Sequence, residues 1–456
     1  MATSTAIDKS LDVKTRGGVR FGKELRGDFL FDGEWLNLNH GSFGTYPRPV
    51  QKALREFQDQ AEARPDHFIR YIYPKLLDVS KEAVAKILKA PVSTLVFTPN
   101  ATTGVNTVLR NLKFEPGDHI LTFSTIYGAC DKTVVYITET TPAEQVKVEY
   151  LYPVEDDWLV AEFKRKVEEV KKAGGKVKIA ILDTVVSNPG VRVPFQRLIQ
   201  ACKEEGVMSL VDAAHGVGHV ELDLPQLDPD FFVSNCHKWL YAPRGCAIFY
   251  VPIRNQHLLR STLPTSHGFV PLPKPGVSYI NPVEQVGNKS PWAQNFDYVG
   301  TIDSSPYLCV PAAIEFREEL GGEEVIRNYN TTLAREAVKI WAEKLGTEVL
   351  DNESHTLSDC CMSNVRLPLD YEKLVAMGEQ EGVDKTEIIL KVRNWMYKKL
   401  LDEYHTFVAI FWYGGTWWTR LSGQVYLELE DFEKGASIMK ELCERVAKGE
   451  FLEKAG

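Results

Sequence analysis

The sequence lacks the features of several protein classes. No apolar run reaches the ~18 residues that a membrane-spanning helix needs, and the N-terminal stretch to Phe29 has no apolar run typical of a signal peptide. Basic charge is not in surplus either, because 53 Lys and Arg stand against 62 Asp and Glu, a net charge of −9. A phosphate-binding surface needs clustered basic residues. We therefore expect a cytoplasmic protein with neither a membrane nor a nucleic-acid partner.

Cysteine is present, but without the spacing of a metal site. The eight cysteines include no CxxC pair and no Cys/His pattern suited to zinc, so we predict no metal. Free thiols are the simplest interpretation, and they are typical of a cytosolic protein.

The composition is that of an ordinary globular protein, with 44% hydrophobic and 25% charged residues over 456 positions. This length suffices for two or three domains. The pattern predicts an N-terminal arm over residues 1–35, a large domain over 36–310 and a smaller α+β domain over 311–456. Residues 260–300 are rich in Pro, Gly, Asn and Ser, which predicts a long functional loop.

Short apolar runs alternate with amphipathic helical patterns in the large domain. The seven runs lie at 94–99, 119–124, 147–152, 177–185, 208–214, 231–235 and 246–252. They predict an α/β fold with a mostly parallel seven-stranded sheet covered by helices on both faces. Ligands bind beyond the carboxyl ends of the strands in such sheets, so polar residues there are candidate site residues.

Three segments place polar residues at predicted strand ends. In FTPNATTGVN a helix is predicted to begin near Thr103, where backbone N–H groups and the hydroxyls of Thr102 and Thr103 suit a phosphate, although a plain N-cap explains the same residues. Asp212 ends the run MSLVD, where a buried carboxylate needs a cationic partner unless it caps a turn. Asn188 follows the run VKIAILDTV and, taken alone, is an ordinary turn residue.

The segment SNCHKWLYAPRG places Lys238 between two apolar stretches, 26 residues after Asp212. That distance allows one crossover and one strand, so both side chains are predicted to project into the same crevice. A lysine held among apolar groups has a lowered pKa and a nucleophilic amine. With Ser234 and His237 as further phosphate donors, the segments predict a site for pyridoxal 5'-phosphate (PLP). In that site Lys238 forms the Schiff base and Asp212 binds the ring nitrogen.

These stretches, together with LNHGSFG at 38–44 and TRLSGQVY at 419–426, resemble the class V group of fold-type I PLP enzymes. That group includes cysteine desulfurases and isopenicillin N epimerase-like proteins, and the resemblance covers most of the chain. It implies that Tyr127 lies over the ring and that His215 and Asn188 lie near the ring oxygen. The full set of implied cofactor contacts comprises Thr102, Thr103, Tyr127, Asn188, Asp212, His215, Ser234, His237 and Lys238, with Gly300 and Thr301 from a neighbouring subunit.

The resemblance also implies how substrate and a second subunit contribute. Asn39, His40 and Arg420 are implied substrate-binding residues. The guanidinium fork of Arg420 suits the α-carboxylate, although the residue pattern alone also fits a surface strand arginine. Gly300 and Thr301 match the segment that reaches the neighbouring subunit's phosphate. We therefore expect a homodimer with active sites at its interface.

Three reactions remain open on the residues alone. A C–S lyase would use Lys238 to remove the Cα proton and Tyr127 to protonate the departing sulfur. A cysteine desulfurase would need Cys360 or Cys361 as a mobile nucleophile, although their context, CCMSNVRLPL, favours a buried strand. An epimerase would need proton donors on both faces of Cα. A non-enzymatic scaffold is disfavoured because the lysine, aspartate and arginine of the predicted site are all present.

The stretches NLNHGSFGTYP, NATTGVNTVLRNL, VDAAHGVGHV, HKWLYAPRG and YVGTID are most similar to the eukaryotic hercynylcysteine sulfoxide lyases of ergothioneine biosynthesis. This similarity implies β-elimination from a sulfur amino acid to give ergothioneine via the sulfenic acid, with pyruvate and ammonia. Such a substrate carries a trimethylammonium group, which aromatic faces and a carboxylate bind. Candidates are Trp417, Trp418, Tyr413, Phe43 and the pair Asp66 and His67, with core packing as the alternative for most of the aromatic residues.

Overall fold

The computed structural model describes residues 11–278 and 289–453. Residues 1–10 of the predicted arm, 279–288 of the predicted loop and 454–456 lie outside the described residues. In the part of the chain that the structure describes, no helix is long and apolar enough to cross a membrane. In the same part, no group of three His, Cys, Asp or Glu side chains is placed to hold a metal ion.

A seven-stranded sheet forms from strands within residues 95–250, and a three-stranded sheet forms from strands within residues 362–422. The strands are β1 (Leu36–Asn37), β2 (Leu95–Thr98), β3 (Asp118–Phe123), β4 (Glu144–Val148), β5 (Lys176–Asp183), β6 (Met208–Asp212), β7 (Phe231–Asn235), β8 (Ala247–Tyr250), β9 (Met362–Arg366), β10 (Thr406–Phe407), β11 (Ala409–Tyr413) and β12 (Thr416–Ser422). The helices are α1 (His40–Phe43), α2 (Arg48–Ala63), α3 (Pro65–His67), α4 (Tyr73–Leu88), α5 (Ala101–Asn111), α6 (Gly128–Thr140), α7 (Asp156–Lys172), α8 (Phe195–Glu205), α9 (Leu224–Leu227), α10 (Cys236–Trp239), α11 (Ile253–Gln256), α12 (Pro291–Asp297), α13 (Ser305–Leu308), α14 (Val310–Glu319), α15 (Glu323–Leu345), α16 (Tyr371–Gln380), α17 (Lys385–Asp402) and α18 (Leu429–Ala447).

The large sheet has the strand order β2-β8-β7-β6-β5-β3-β4. Strand β8 runs antiparallel to β2 and β7, and the remaining pairs are parallel. Successive residues of the central strands point to opposite faces, where α5 and α6 cover one side and α7 and α8 the other. The predicted mostly parallel seven-stranded sheet is thus confirmed, and the carboxyl ends of β5, β6 and β7 meet at one edge.

One predicted strand is displaced along the sequence. The run at 147–152 predicts a strand, whereas β4 occupies Glu144–Val148. The chain leaves the sheet after Val148, because the backbone N–H of Tyr152 donates to the hydroxyl of Tyr413 (2.7 Å) instead of to a neighbouring strand. The aromatic residues that suggested a strand therefore pack beside its end.

A second core lies around β9, β11 and β12, which form a three-stranded antiparallel sheet against α15 and α18. Strand β1 pairs with β10, so residues just after the predicted arm join this part of the chain. The apolar side chains buried there from residues 11–35 are Leu11, Phe21, Leu25 and Phe29. The domain boundaries at 35 and 310 stay a prediction.

The NHGSFG segment joins the two cores at one close backbone contact. Gly44 ends α1 with φ +63°, and a Cβ placed on it would lie 1.8 Å from the carbonyl oxygen of His237. The same Cβ would lie 2.8 Å from Cα of Lys238. A glycine is therefore required here both by backbone conformation and by the approach of α10.

We expect Gly44→Ala to lower the free energy of unfolding by about 3 kcal/mol or more, because neither backbone segment can move without disturbing its core. Gly206→Ala is the matched control, since Gly206 also has positive φ (+69°) but nothing within 4 Å of the added Cβ. That control should cost about 1 kcal/mol, from backbone strain alone. Denaturant unfolding of both variants measures the difference, and equal costs would contradict the contact.

Candidate active site

A cleft opens at the carboxyl edge of the large sheet, where β5, β6 and β7 end and α5 begins. It holds about 680 Å³ of empty space, counting its open mouth. The lining residues are Ser42, Phe43, Asn100, Ala101, Thr102, Tyr127, Asp183, Val185, Ser187, Asp212, Ala214, His215, Asn235, His237 and Lys238. The cleft therefore brings together the predicted lysine, its acidic partner and a helix N-terminus.

Lys238 lies in the short helix α10, which follows β7 directly. Its Nζ is 3.0 Å from Nε2 of His215. Burial lowers the pKa of Lys238 to about 7, with a further lowering from the charge of Arg420, whereas Asp212 raises it. A large fraction of this amine is therefore neutral near pH 7, which suits a nucleophile and a base.

The protonation of His215 follows from its second neighbour. The indole N–H of Trp239 donates to His215 Nδ1 at 3.0 Å, and an indole nitrogen cannot accept. Burial and the nearby Lys238 lower the pKa of His215 well below its usual value, so the ring is neutral and carries its proton on Nε2. That proton points to Lys238 Nζ, so the contact favours the neutral amine.

Asp212 ends β6 and is 4% exposed. Its Oδ1 accepts the backbone N–H of Ala214 (3.1 Å), and its Oδ2 accepts the thiol of Cys130 (3.2 Å). Burial raises the pKa of Asp212, while Cys130, Ala214 and the charge of Lys238 oppose that rise. The carboxyl group is thus fixed in orientation by two donors from the chain.

Sequence reasoning missed Asp183, the last residue of β5. Asp183 is the register partner of Asp212 on the neighbouring parallel strand, and it also lines the cleft. Burial and the charge of Asp212 raise the pKa of Asp183 well above its usual value. The sequence signal that could have identified Asp183 is the apolar run VKIAILD, which ends in an aspartate as the run MSLVD does.

The N-terminus of α5 differs in detail from the prediction. The helix begins at Ala101, where Asn100 Oδ1 accepts both the backbone N–H (2.8 Å) and the hydroxyl (3.0 Å) of Thr103. Thr103 faces a neighbouring cavity, while Thr102 lines the cleft. The hydroxyl of Thr103 therefore serves as part of a helix cap in this arrangement.

Of Ser234 and Asn235, which directly precede α10, the cleft is lined by Asn235, whereas the sequence predicted Ser234. Ser234 is fully buried, and its hydroxyl accepts the backbone N–H of Val217 (2.8 Å) outside the cleft. Asn235 lines the cleft instead, and its Oδ1 accepts the N–H of Ala101 at the start of α5 (2.9 Å). Successive strand residues point to opposite faces, so a shift of one position changes which side chain reaches the site.

Two further predicted contacts line the cleft. His237 Nδ1 lies 3.2 Å from the carbonyl oxygen of Cys246, so Nδ1 carries a proton and Nε2 remains for a ligand. Burial lowers the pKa of His237 to about 4. Tyr127 lies just before α6 and is 49% exposed at the cleft mouth.

Arg420 on β12 lies directly behind the cleft wall and is 1% exposed. Its Nη1 donates to the carbonyl oxygen of Ser187 (2.6 Å), and its Nη2 donates to Asn39 Oδ1 (3.0 Å) and Ser42 Oγ (2.8 Å). Its Nε is buried without a partner, and no carboxylate among residues 11–278 and 289–453 pairs with the guanidinium. A buried cation without an anion is suited to receiving one from a ligand.

Asn39 and His40 of the NHGSFG segment contact site residues but do not line the cleft themselves. His40 Nε2 donates to the carbonyl oxygen of Lys238 (2.7 Å), while its Nδ1 accepts the hydroxyl of Tyr426 (2.9 Å). His40 is fully buried and does not line the cleft, and burial lowers its pKa to about 3. Asn39 touches Arg420, so the structure gives both motif residues positioning contacts to site residues.

Several predicted residues lie away from the cleft. Asn188 is exposed in the loop after β5, although the preceding Ser187 lines the cleft. Asp66 is 89% exposed at its side chain and pairs with Arg70 (3.3 Å). Trp417 is fully buried against Trp412 in the second core. We therefore leave Asp66 and Trp417 out of the proposed substrate contacts.

Gly300 and Thr301 lie in an exposed loop outside the Lys238 cleft, where the Thr301 hydroxyl is 3.1 Å from that of Tyr298. Cys360 and Cys361 are buried immediately before β9. Burial raises the pKa of Cys360 to about 12 and that of Cys361 further. Neither thiol has the exposure or the acidity of a mobile nucleophile.

The donor set fits PLP. Lys238 presents a neutral amine to an aldehyde, and Asp212 presents a carboxyl group to a ring nitrogen. At the N-terminus of α5, Thr102 and the side-chain amide of Asn235 present donors to a phosphate, since the N–H groups of Ala101 and Thr103 already bond to Asn235 and Asn100. An α/β sheet with these groups at its carboxyl edge defines a fold-type I PLP enzyme.

Comparison with known proteins identifies the family. The class-V aminotransferase profile matches residues 45–367, and the chain belongs to that family of PLP-dependent enzymes. An L-cysteine desulfhydrase-like protein of Epichloe uncinata is 38% identical over 447 residues, covering 94% of this chain and 97% of its own. A hercynylcysteine sulfoxide lyase of Schizosaccharomyces pombe is 27% identical over 423 residues, covering 93% and 98%.

The fold likeness extends to solved structures. A mutant of C-DES with glycine covalently linked to its PLP cofactor matches with a TM-score of 0.68 at 17% identity. The match covers 90% of this chain and 97% of C-DES. At that identity the likeness shows the fold alone, and it confirms the predicted fold type.

We expect Arg420→Lys to raise KM for an amino-acid substrate at least about tenfold, with the affinity for PLP nearly unchanged. A lysine keeps the charge but cannot hold Asn39, Ser42 and the carboxylate with one planar fork. Steady-state kinetics and cofactor titration separate the two quantities. An unchanged KM would remove Arg420 from substrate binding.

The uptake of PLP by cofactor-free protein should become faster as pH rises through about 7, because the amine of Lys238 loses its proton there. Arg420→Gln removes a charge that lowers the pKa of Lys238, so its midpoint should move to higher pH. Arg420→Lys keeps that charge and should leave the midpoint in place. Stopped-flow absorbance over a pH series measures all three, and a common midpoint would contradict the coupling.

Proposed function

We propose that this chain is a PLP-dependent carbon–sulfur lyase that releases the sulfur substituent from Cβ of an S-substituted cysteine, with hercynylcysteine sulfoxide as its substrate. One observation carries the proposal. A neutral amine, Lys238, shares one cleft with a ring-nitrogen carboxyl group, Asp212, and lies near a buried guanidinium, Arg420, that no described carboxylate neutralises. That set binds an α-amino acid and removes its Cα proton.

Each residue has a defined task. Bound PLP supplies an electron sink that stabilises negative charge at Cα. Arg420, held by Asn39 and Ser42, receives the α-carboxylate and fixes the orientation of Cα. Lys238, whose neutral form His215 favours, accepts the Cα proton.

Tyr127 is the proposed acid for the departing sulfur. It stands 49% exposed at the cleft mouth, where a long substituent on sulfur must lie. Elimination from a sulfoxide breaks the Cβ–S bond and gives a sulfenic acid, and water then converts the remaining carbon skeleton to pyruvate and ammonium. A sulfoxide is the better substrate because the departing group carries its charge on oxygen.

The cleft mouth also supports a bulky cationic substituent. Phe43, 70% exposed, and Tyr127 present aromatic surface there, and aromatic faces attract quaternary ammonium groups. These two residues replace Asp66 and Trp417 as the proposed contacts. The 27% identical hercynylcysteine sulfoxide lyase supports this substrate.

Elimination of sulfide from L-cysteine is the second candidate. It is favoured by the 38% identical relative, which is named an L-cysteine desulfhydrase-like protein. A desulfurase reaction through Cys360 or Cys361 is disfavoured by their burial and raised pKa values. An isopenicillin N epimerase of Streptomyces clavuligerus is 28% identical over 346 residues, so the test also measures exchange of the Cα proton with solvent.

We further propose a homodimer in which Gly300 and Thr301 approach the phosphate site of the second subunit. The support is their exposure in a loop outside the chain's own cleft. Thr301→Glu should weaken PLP binding and dimerisation together, because a carboxylate placed against the phosphate of the second subunit would repel it. Sedimentation at several concentrations and cofactor titration measure both, and a fully active monomer would contradict the arrangement.

The substrate is tested by offering purified holoenzyme hercynylcysteine sulfoxide, the corresponding thioether and L-cysteine separately. We expect pyruvate and ammonium in equal amounts from the sulfoxide, with kcat/KM at least about tenfold above that for L-cysteine. Lys238→Ala should abolish the reaction, and Tyr127→Phe should lower kcat more for the thioether, the poorer leaving group.

Each outcome selects one candidate. Sulfide and pyruvate from L-cysteine alone would establish the desulfhydrase. Alanine in place of pyruvate would indicate a desulfurase. Deuterium exchange at Cα without elimination would indicate an epimerase.

A further inference from the structure

A buried thiol contacts the carboxyl group that the proposed site assigns to the PLP ring nitrogen. Cys130 lies in the first turn of α6 and is 0% exposed. Its Sγ donates to Asp212 Oδ2 at 3.2 Å, while Oδ1 accepts the N–H of Ala214. Burial and the charge of Asp212 raise the pKa of this thiol, so it stays protonated and remains a donor.

A second carboxyl group competes with Asp212 for a proton. Asp183 and Asp212 occupy the same register position on β5 and β6, and both line the cleft. Asp212 is buried and Asp183 is partly buried, and two carboxyl groups at one register position cannot both ionise without an electrostatic cost, so the pair retains a proton. Hydrogen-bond donors decide which member carries the negative charge.

The donors are distributed unequally between the two carboxyl groups. Asp212 receives one thiol and one backbone N–H, whereas none of the described residues donates a hydrogen bond to Asp183 or pairs with it. Donors stabilise the ionised form, so the charge resides on Asp212 and the proton on Asp183.

We propose that Cys130 is a positioning residue that keeps the negative charge of the Asp183–Asp212 pair on Asp212, and thereby strengthens the hold of the chain on the PLP ring nitrogen. The inference rests on the proposed role of Asp212. A protonated ring nitrogen is a cation, and it binds an ionised carboxylate more strongly than a neutral carboxylic acid.

The remaining charged and titratable neighbours do not replace the thiol. Besides Cys130 from α6, the groups that face the Asp183–Asp212 pair are Lys238 from α10 and the phenols of Tyr150 and Tyr152 from the segment after β4. Burial raises the pKa of both phenols, so they stay neutral. Lys238 is engaged by PLP when the cofactor is bound. Loss of Cys130 therefore leaves the backbone N–H of Ala214 as the one donor to Asp212 within the described residues.

The test is a titration of cofactor-free protein with PLP, read by absorbance, for Cys130→Ala, Cys130→Ser and Cys202→Ala. The last is the matched control, since Cys202 is equally buried but lies on α8 in the hydrophobic core. We expect Cys130→Ala to weaken PLP binding at least about fivefold, as loss of a donor to a charged group does. Cys130→Ser keeps a donor and should bind like wild type, as should Cys202→Ala.

The pH dependence gives an independent readout. Without the thiol the pKa of Asp212 is higher, so the affinity loss in Cys130→Ala should be largest at low pH and should shrink as pH rises and Asp212 ionises. The ratio of the wild-type to the Cys130→Ala affinity isolates this effect, because the pH dependence that comes from Lys238 is common to both proteins. Adding Asp183→Asn to Cys130→Ala removes the competing acid and should restore part of the affinity, and Asp183→Asn alone completes the double-mutant cycle.

Three outcomes distinguish a failure of the role proposed for Cys130 from a failure of the role proposed for Asp212. Equal affinities for Cys130→Ala and Cys202→Ala would overturn the role of the thiol, as would a Cys130→Ser variant as weak as Cys130→Ala. An Asp212→Asn variant that binds PLP like wild type would instead overturn the assignment of Asp212. Unfolding temperatures of the cofactor-free variants check folding, and Cys130→Val, which fills the space without a donor, replaces Cys130→Ala if that variant unfolds.

Discussion

Buried charge at the carboxyl edge of the large sheet is the constraint on which the rest of the structure depends. Lys238, Asp212 and Arg420 are each largely or fully removed from water, and none has an ion-pair partner among the described residues. An uncompensated buried charge costs several kcal/mol, so the chain supplies hydrogen bonds where it does not supply counter-charges. On the proposed assignment, the ring nitrogen of PLP and the α-carboxylate of the substrate supply counter-charges to Asp212 and Arg420, while Lys238 avoids the cost because its amine is largely neutral near pH 7.

The NHGSFG segment explains how two cores share one site. Its histidine supports the backbone of Lys238, its asparagine and serine hold Arg420, and its last glycine contacts the carbonyl of His237. A single six-residue segment therefore sets the distance between the amine and the guanidinium. Chemistry at Cα needs that distance fixed, because the carboxylate and the Cα proton belong to the same small molecule.

The sequence predicts the sheet and the lysine–aspartate pair well, because both follow from local patterns. Continuous apolar runs mark buried parallel strands, and an ionisable residue directly after such a run must face an edge. The site predictions differ from the structure where a shift of one sequence position changes the side of the strand on which a side chain lies. Ser234 and Asn235 are chemically similar neighbours, and the register of β7 alone determines that Asn235 reaches the cleft. Trp417 looks suited to a cation but points into the second core, which a sequence pattern cannot distinguish from a binding face.

The long separation of the site residues along the chain affects how the protein is made. Arg420 is translated 182 residues after Lys238, and the Tyr426 hydroxyl that orients His40 comes later still. During synthesis the polypeptide therefore contains Lys238, Asp183 and Asp212 well before β12, the strand that carries the proposed carboxylate-binding residue Arg420. On the proposed roles, the residues of this subunit that would contact PLP within the cleft are all synthesised before Arg420, so recognition of the α-carboxylate is the last part of the site to be completed.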